Sequence, residues 1–399
     1  MRIPFGTVKI TERSKSLIME ALGSNRVSSG RLVREFEKGF AELVGAKEAV
    51  AVSTGTDADA LALAVLYDFG AKRGAEVIVP SLSFVATGNA VLQAGFQPVF
   101  ADIDRKTLNI DPEGIEERIT EKTRAIMPVH LMGKPAEMDS IMRIARKYHL
   151  YVVEDAAEAH GGVYKGRNVG TLGDMAAYST YVAHIITTIE GGMVVTDRTD
   201  FAEILRSLRS HGRACKCESC VLNISSGYCN KRFQSGDGID IRFKFERIGF
   251  SSKMNELEAA VGLGNLEIFD EILEKKRKNL LKMIEKFKRF DEYLYTISEA
   301  PYEKIGPHAF PIIVQEDAPF HRNQLVDFME RKGIDTRNLF LSMPTQCPGF
   351  GFLNHRLGDF PNAEYIGDHG LHIGVHQDIG EEEIEYIMNT VEEYLEKHT

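Results

Sequence analysis

The sequence lacks the features of a membrane-spanning, exported or nucleic-acid-binding chain. No apolar run approaches the ~18 residues that a transmembrane helix needs. Residues 1–4 lack the apolar stretch of a signal peptide. Basic residues (48) are outnumbered by acidic ones (58), which gives a net charge of −10, and no basic stripe is present. We therefore expect a cytoplasmic protein that binds neither membranes nor nucleic acid.

Cysteine is scarce, with five in 399 residues, yet four of the five crowd into residues 215–229. Such crowding indicates a metal site or a local disulfide cross-link rather than scattered core thiols. Hydrophobic residues make up 43% of the chain and charged ones 27%, which is typical of a globular protein with a sizeable core. The length predicts two or three domains.

Short apolar, β-rich runs alternate with helical segments through the first two-thirds of the chain. They occupy residues 48–53, 76–80, 98–103, 124–130, 150–154, 175–179 and 193–196. This alternation is typical of an α/β fold whose mostly parallel sheet is covered on both faces. Ligands of such sheets bind at the carboxyl ends of the strands.

One long helix is expected to begin near Asn255 and to lead into a second, smaller α+β domain. Strand-like runs at residues 308–314, 335–339 and 371–376 and helical ones at 323–332 and 381–397 belong to that domain. We predict a large domain over residues 1–265, with a cysteine-rich insertion at about 211–245, and a small domain over 266–399.

The first candidate site residues follow the first strand, in the run Ser53-Thr54-Gly55-Thr56-Asp57. Backbone N–H groups at a helix N-terminus, next to small hydroxyl residues, bind phosphate. The same residues also suit an ordinary helix cap, so the motif alone leaves both interpretations open.

A second candidate is Asp155, which an apolar strand delivers to its carboxyl end. A carboxylate there can pair with a protonated pyridine nitrogen and keep it charged. A helix cap or a structural ion pair is the alternative for a lone aspartate.

Several motifs occur together in the order and spacing of a known family. They are Pro80-Ser81-Leu82-Ser83-Phe84, Glu154-Asp155-Ala156-Ala157, Gly173-Asp174 and Glu190-Gly191-Gly192. In these the chain resembles the DegT/DnrJ/EryC1/StrS sugar aminotransferases, which use pyridoxal phosphate on a type I aspartate-aminotransferase fold. The resemblance implies a large cofactor-binding domain with a mostly parallel mixed sheet, a small C-terminal α+β domain, and a homodimer.

The resemblance also implies where the cofactor phosphate binds. It assigns the phosphate to Gly55, Thr56 and Asp57 at the helix N-terminus and to Ser179. In the family an asparagine from the second subunit adds a further contact. Ser251 occupies the matching position of this chain. The resemblance implies that its hydroxyl replaces the asparagine amide as a contact to the phosphate.

Three further positions match residues that contact the cofactor ring in the family. Phe84 lies where an aromatic side chain stacks on the pyridine. Asp155 pairs with the pyridine nitrogen. Glu158 matches a position near the 3-hydroxyl that is usually glutamine.

The chain departs from the aminotransferases at His184, where they carry the catalytic lysine. Imidazole cannot form the Schiff base that lysine makes, but it is a competent general base with an ordinary pKa of about 6.5. The cofactor is therefore expected to be untethered, in its pyridoxamine phosphate form. The alternative is an inactive enzyme.

Histidine at this position marks the branch of 3-dehydratases that act on nucleotide-linked 4-keto-6-deoxyhexoses. This resemblance implies that the cofactor amine condenses with the C4 ketone, that His184 removes the C4′ proton, and that the C3 hydroxyl leaves. Three alternatives remain: a sugar aminotransferase-like enzyme, a cluster-free 3-dehydratase with structural zinc, and a non-catalytic homodimer that binds cofactor or sugar nucleotide.

The spacing Cys215-x-Cys217-x2-Cys220-x8-Cys229 is compatible with iron–sulfur ligation. It resembles the insertion of those dehydratases that take electrons through a cluster, and it leaves [2Fe–2S] and [4Fe–4S] both open. Structural zinc and disulfides are the alternatives. A cluster would imply a flavin or ferredoxin-type reductase as partner.

Overall fold

The computed structural model describes residues 1–215, 217, 220–224, 227–234 and 236–398. Within these residues the strands are β1 Glu48–Val52, β2 Glu76–Pro80, β3 Gln97–Ala101, β4 Thr123–Ile126, β5 Tyr151–Asp155, β6 Val163–Tyr164, β7 Arg167–Asn168, β8 Met175–Ser179, β9 Gly192–Thr196, β10 Leu294–Tyr295, β11 Glu303–Lys304, β12 Ala309–Val314, β13 Thr336–Asn338 and β14 Gly370–Gly374.

The helices alternate with these strands in the first half of the chain and dominate the second. They are α1 Glu12–Gly23, α2 Arg31–Val44, α3 Gly55–Val65, α4 Ala86–Gln93, α5 Pro112–Glu116, α6 Met138–Tyr148, α7 Thr199–Leu208, α8 Val221–Ile224, α9 Glu256–Glu267, α10 Phe269–Phe287, α11 Arg322–Arg331, α12 Met343–Gln346, α13 Pro361–His369 and α14 Glu381–His398.

Seven strands form the main sheet, in the order β1-β9-β8-β5-β4-β2-β3. Only β9 runs antiparallel to its neighbours; the other pairs are parallel. Strands such as β8 are buried along their whole length, because helices cover both faces of the sheet. The predicted α/β class with a mostly parallel mixed sheet is confirmed.

The C-terminal part forms an antiparallel sheet in the order β10-β12-β14-β13. Helix α11 packs against this sheet, and α14 packs against α11 and α10. The three longer strands of this sheet, α11 and α14 lie where the sequence pattern predicts them. The division of the chain at residue 265 stays a prediction.

The expectation of one long helix from Asn255 is wrong. Ile268 has φ −109° and ψ 8°, outside the helical region, and it separates α9 from α10. The break lets each helix bury its own face: Val261 of α9 and Ile272 of α10 are both almost inaccessible.

The sheet positions the functional residues because β1, β5 and β8 point the same way and end at one edge. Asp155 ends β5, Ser179 ends β8, and α3 starts just after β1. In the part of the chain that the structure describes, no helix combines the length and apolar character needed to cross a bilayer.

Candidate active site

A cavity of about 530 Å³ opens at this edge of the sheet, between the main sheet and the small-domain strands. Its lining includes Gly55, Thr56, Asp155, Ser179 and His184, so the structure brings together residues that lie up to 130 positions apart. No lysine is among the described residues that line it.

One end of the cavity is formed by the N-terminus of α3. Thr54 caps this helix, since its hydroxyl accepts from the backbone N–H of Asp57 at 3.0 Å. A Cβ on Gly55 would lie 2.6 Å from the Cβ of Ser179, so glycine is required for this close approach. The free N–H groups and the Ser179 hydroxyl suit a phosphate.

Two of the residues predicted for the phosphate site do not line this cavity. Asp57 is not among the lining residues; its carboxylate accepts from the Ser53 hydroxyl at 2.5 Å. Ser251 is exposed, pairs with Ser210 in a β-bridge, and does not line the cavity of its own chain. Its assignment to the second subunit's site stays a prediction.

Asp155 lies deep in the cavity and is almost fully buried. Its carboxylate accepts from the Thr87 hydroxyl at 2.8 Å and from the Ala157 N–H at 3.2 Å. Burial raises the pKa of this carboxyl above its ordinary value, and the two hydrogen bonds oppose that effect. A cationic ring nitrogen would stabilise the charged form, so the residue fits the role of pyridinium partner.

Asp59, on α3, is a lining residue that the sequence reasoning missed. It is buried, and its Oδ1 has no hydrogen-bond partner among the described residues. Burial, with a contribution from the charge of Asp155, raises its pKa well above the ordinary value. Two buried carboxyl groups on one cavity wall favour a cationic ligand there. The sequence did offer a signal for this residue, because Asp59 is a hydrophilic residue at an inward-facing position of α3.

Glu158 follows β5 and lies in the wall, with its side chain 10% exposed. It accepts from the Met132 N–H at 2.7 Å, and its other oxygen lies 3.6 Å from Nε2 of His308. Burial raises its pKa to about 8. At pH 7 the protonated carboxyl therefore predominates and can donate a hydrogen bond to an oxygen of a ligand.

His184 lies on the loop that joins β8 to β9. The loop is closed by a hydrogen bond of 2.6 Å between the hydroxyls of Thr180 and Thr188. Nδ1 of His184 is buried without a partner in the described part of the chain. Burial, reinforced by the charge of Lys276, lowers the imidazole pKa to about 3. The side chain is thus a neutral proton acceptor at physiological pH.

The mouth of the cavity combines an aromatic ring with polar residues of the small domain. Phe84 is 56% exposed there, with its ring centroid 5.6 Å from that of Phe340. Arg337, Asn338 and His372 complete this side. Sequence reasoning did not assign them to the site, because they come from β13 and β14, far along the chain, and carry no local motif.

The four cysteines of the insertion are free thiols and are half-buried. The Cys217 thiol has a raised pKa, mainly through burial and also through Cys215, while Nζ of Lys231 lies 3.8 Å from its sulfur. Residues 216, 218, 219, 225, 226 and 235 lie outside the described residues. Among the described ones, no three His, Cys, Asp or Glu side chains converge to hold a metal ion. Four cysteine thiols are suitable ligands for an iron–sulfur cluster, but in this arrangement they do not converge on one point.

Comparisons with known proteins agree with this fold. A model of the DegT/DnrJ/EryC1/StrS aminotransferase family matches residues 8–392. A dTDP-4-dehydro-2,6-dideoxy-D-glucose 3-dehydratase from Saccharopolyspora spinosa is 34% identical over 405 residues, covering 99% of this chain and 86% of the relative. A GDP-perosamine synthase from Caulobacter vibrioides is 33% identical over 400 residues, covering 99% and 98%.

Among solved structures, GDP-4-keto-6-deoxy-D-mannose 3-dehydratase from E. coli, with bound hydrated PLP, has a TM-score of 0.84 and 29% identity. The match covers 98% of this chain and 99% of that one. The chain is therefore similar along its length to 3-dehydratases and to a perosamine synthase.

Proposed function

Because the chain belongs to the DegT/DnrJ/EryC1/StrS aminotransferase family, we propose that it is an enzyme that removes the C3 hydroxyl of a nucleotide-linked 4-keto-6-deoxy sugar. One observation carries this proposal. His184 lies on the cavity wall, and no lysine is among the described residues lining that cavity. A cofactor bound there would not be attached covalently to a lysine and would react through its own amine.

The cavity residues fit pyridoxamine phosphate. When bound, this cofactor supplies an amine for the C4 ketone and an electron sink. The start of α3 and Ser179 would hold the phosphate, Asp155 would keep the ring nitrogen protonated, and Phe84 would cover the ring. Neutral His184 would take the C4′ proton, and protonated Glu158 would donate a hydrogen bond to the ring oxygen.

A sugar aminotransferase is the second candidate, since a GDP-perosamine synthase is among the relatives. In the family, the aminotransferase reaction uses a lysine to restore the starting form of the cofactor. Without such a lysine on the described wall, dehydration is the better supported chemistry.

The test incubates the PMP-loaded protein anaerobically with CDP-, GDP-, dTDP- and UDP-linked 4-keto-6-deoxyhexoses. Mass spectrometry distinguishes loss of the C3 oxygen from replacement of the keto oxygen by an amine. We expect loss of oxygen with at least one nucleotide, and none with His184→Asn. His184→Lys is expected to gain a covalent, visibly absorbing cofactor and to lose dehydration. Amine transfer by the unmodified protein, or full activity of His184→Asn, would contradict the proposal.

We propose further that Cys215, Cys217, Cys220 and Cys229 ligate an iron–sulfur cluster, which supplies one-electron transfer. The support is the chemistry of four free thiols within one short segment. Iron, acid-labile sulfide and zinc are measured on anaerobically prepared protein. Serine at any of the four positions should abolish iron binding, whereas Cys347→Ser, outside the insertion, should not. One zinc without sulfide would contradict the proposal.

A reductase partner and a homodimer complete the proposed function. A reduced flavin or ferredoxin-type donor should increase the yield of deoxy sugar over turnover without donor, and an equal yield would contradict the need for it. Light scattering should give twice the chain mass of 44.6 kDa.

A further inference from the structure

A buried lysine behind the active site has no role in the chemistry described so far. Lys276 of α10 is only 5% exposed. Among the described residues no carboxylate and no hydrogen bond acts on its ammonium group, and burial alone shifts the pKa of that group. Burying an unpaired ammonium group is unfavourable, so such residues are rare in protein interiors.

Lys276 shares a small cavity of about 20 Å³ with His184, His308 and His376. The cavity has room for about one water molecule. Nδ1 of His184 is buried without a partner among the described residues. Lys276 does not line the large cofactor cavity, whereas His184 lines both. The lysine therefore lies on the far side of the imidazole from the cofactor.

The charged and titratable groups around Lys276 come from several elements. They are His160 after β5, His184, His308 before β12, His376 and Asp378 after β14, Glu383 of α14, Lys9 of the N-terminal segment and Glu271 of α10.

The acidic members of this group are engaged with other partners. Glu271 pairs with Lys275 at 2.8 Å and lies 3.7 Å from Lys9, and Asp378 acts on His376. No described carboxylate is among the groups that shift the pKa of Lys276 or of His184.

We propose that Lys276 is a positioning residue that acts through His184: its ammonium group disfavours the imidazolium and keeps the imidazole ready to accept a proton. The inference rests on the proposed role of His184 as base. In the proposed reaction, a proton taken from C4′ onto His184 would be opposed by the neighbouring charge. His184 would pass that proton to the departing C3 hydroxyl, which leaves as water, and would return to its neutral form.

The acid–base properties of the two groups agree with this arrangement. Burial lowers the pKa of His184, and the charge of Lys276 lowers it further. Burial also lowers the pKa of Lys276, to about 8. Near pH 7 the histidine is neutral and the lysine charged, and above pH 8 the lysine loses its charge.

The test uses [15N]histidine-labelled protein without cofactor or substrate, and His184→Asn identifies the His184 signals. In the unmodified protein these signals should shift near pH 8, as Lys276 titrates. The shift should be absent in Lys276→Met and in Lys276→Gln, and it should persist in Lys275→Met, the exposed neighbour on α10. Protonation of His184 should also move to higher pH in both Lys276 variants, by about half a pH unit or more.

Identical His184 titrations in all four proteins would overturn the inference. So would a cofactor bonded to Lys276 after borohydride reduction, because the lysine would then be a tether. Neither measurement requires dehydration, so a failure of the proposed function is distinguishable. If dehydration is observed, the acid limb of its pH profile should move to higher pH in Lys276→Met.

Discussion

Replacing Lys276 by methionine should make the protein more stable, although the residue is buried. The pKa of Lys276 falls from 10.5 to about 8 because burial removes water from the ammonium group. One pKa unit corresponds to about 1.4 kcal/mol, so burying the charged form costs about 3 kcal/mol. Methionine fills a similar volume without a charge, so Lys276→Met should recover most of this free energy.

The effect has a defined pH dependence. Below pH 8 the lysine is protonated in both the folded and the unfolded chain, and the full cost applies. Between pH 8 and 10.5 the unfolded chain binds more protons, so the stability of the unmodified protein rises with pH. The advantage of Lys276→Met should therefore be about 3 kcal/mol at pH 7 and should vanish near pH 10.5.

Urea unfolding of the cofactor-free proteins at pH 7 and at pH 10 measures this difference. Lys275→Met is the matched control, because Lys275 is half exposed and its pairing with Glu271 is solvent-screened; its stability should change by less than ~0.5 kcal/mol. If Lys276→Met proved less stable than the unmodified protein at pH 7, the lysine would be a structural residue and the reasoning would fail.

Three more substitutions probe the site and its support. Gly55→Ala should weaken cofactor binding at least about tenfold in an absorbance titration, because the new Cβ would lie 2.6 Å from Cβ of Ser179; unchanged affinity would argue against phosphate at this helix. Asp155→Asn should also weaken PMP binding at least about tenfold without loss of stability, because burial already raises the pKa of the carboxyl; tighter binding would contradict the pyridinium pairing. Glu256→Ala should destabilise the fold by about 3 kcal/mol or more in urea, since this buried carboxylate accepts from three backbone N–H groups at the start of α2; a change below ~1 kcal/mol would refute its capping role.

The sequence predicts those parts of the site that local pattern encodes. Apolar strands that end in small or acidic residues predict that Asp155 and Ser179 lie at strand ends, and the structure places both at one cavity. The missed residues carry no such pattern. His372 lies within a strand of the small domain, and Lys276 sits among the many lysines of α10.

Tertiary packing alone distinguishes Lys276 from its neighbours. Ile268 ends α9 outside the helical region, so α9 and α10 are separate helices. The periodicity of a single continuous helix predicts neither that break nor which lysine becomes buried. Lys275 and Lys276 look alike in the sequence, yet one is half exposed and the other 5% exposed.

Three buried ionisable groups that lower the stability of this fold lie at the cofactor cavity or just behind it. Asp59 and Asp155 are carboxyl groups buried near each other, and Lys276 is an ammonium group buried without an anion. Stability alone would favour apolar residues at these positions. The two carboxyl groups are placed to bind the cationic ring of the cofactor. The charge of Lys276, in contrast, favours the uncharged form of His184. Cofactor binding should therefore stabilise the protein by relieving the carboxyl pair, and it should leave the unfavourable burial of Lys276 in place, because that residue acts on His184 rather than on the ligand.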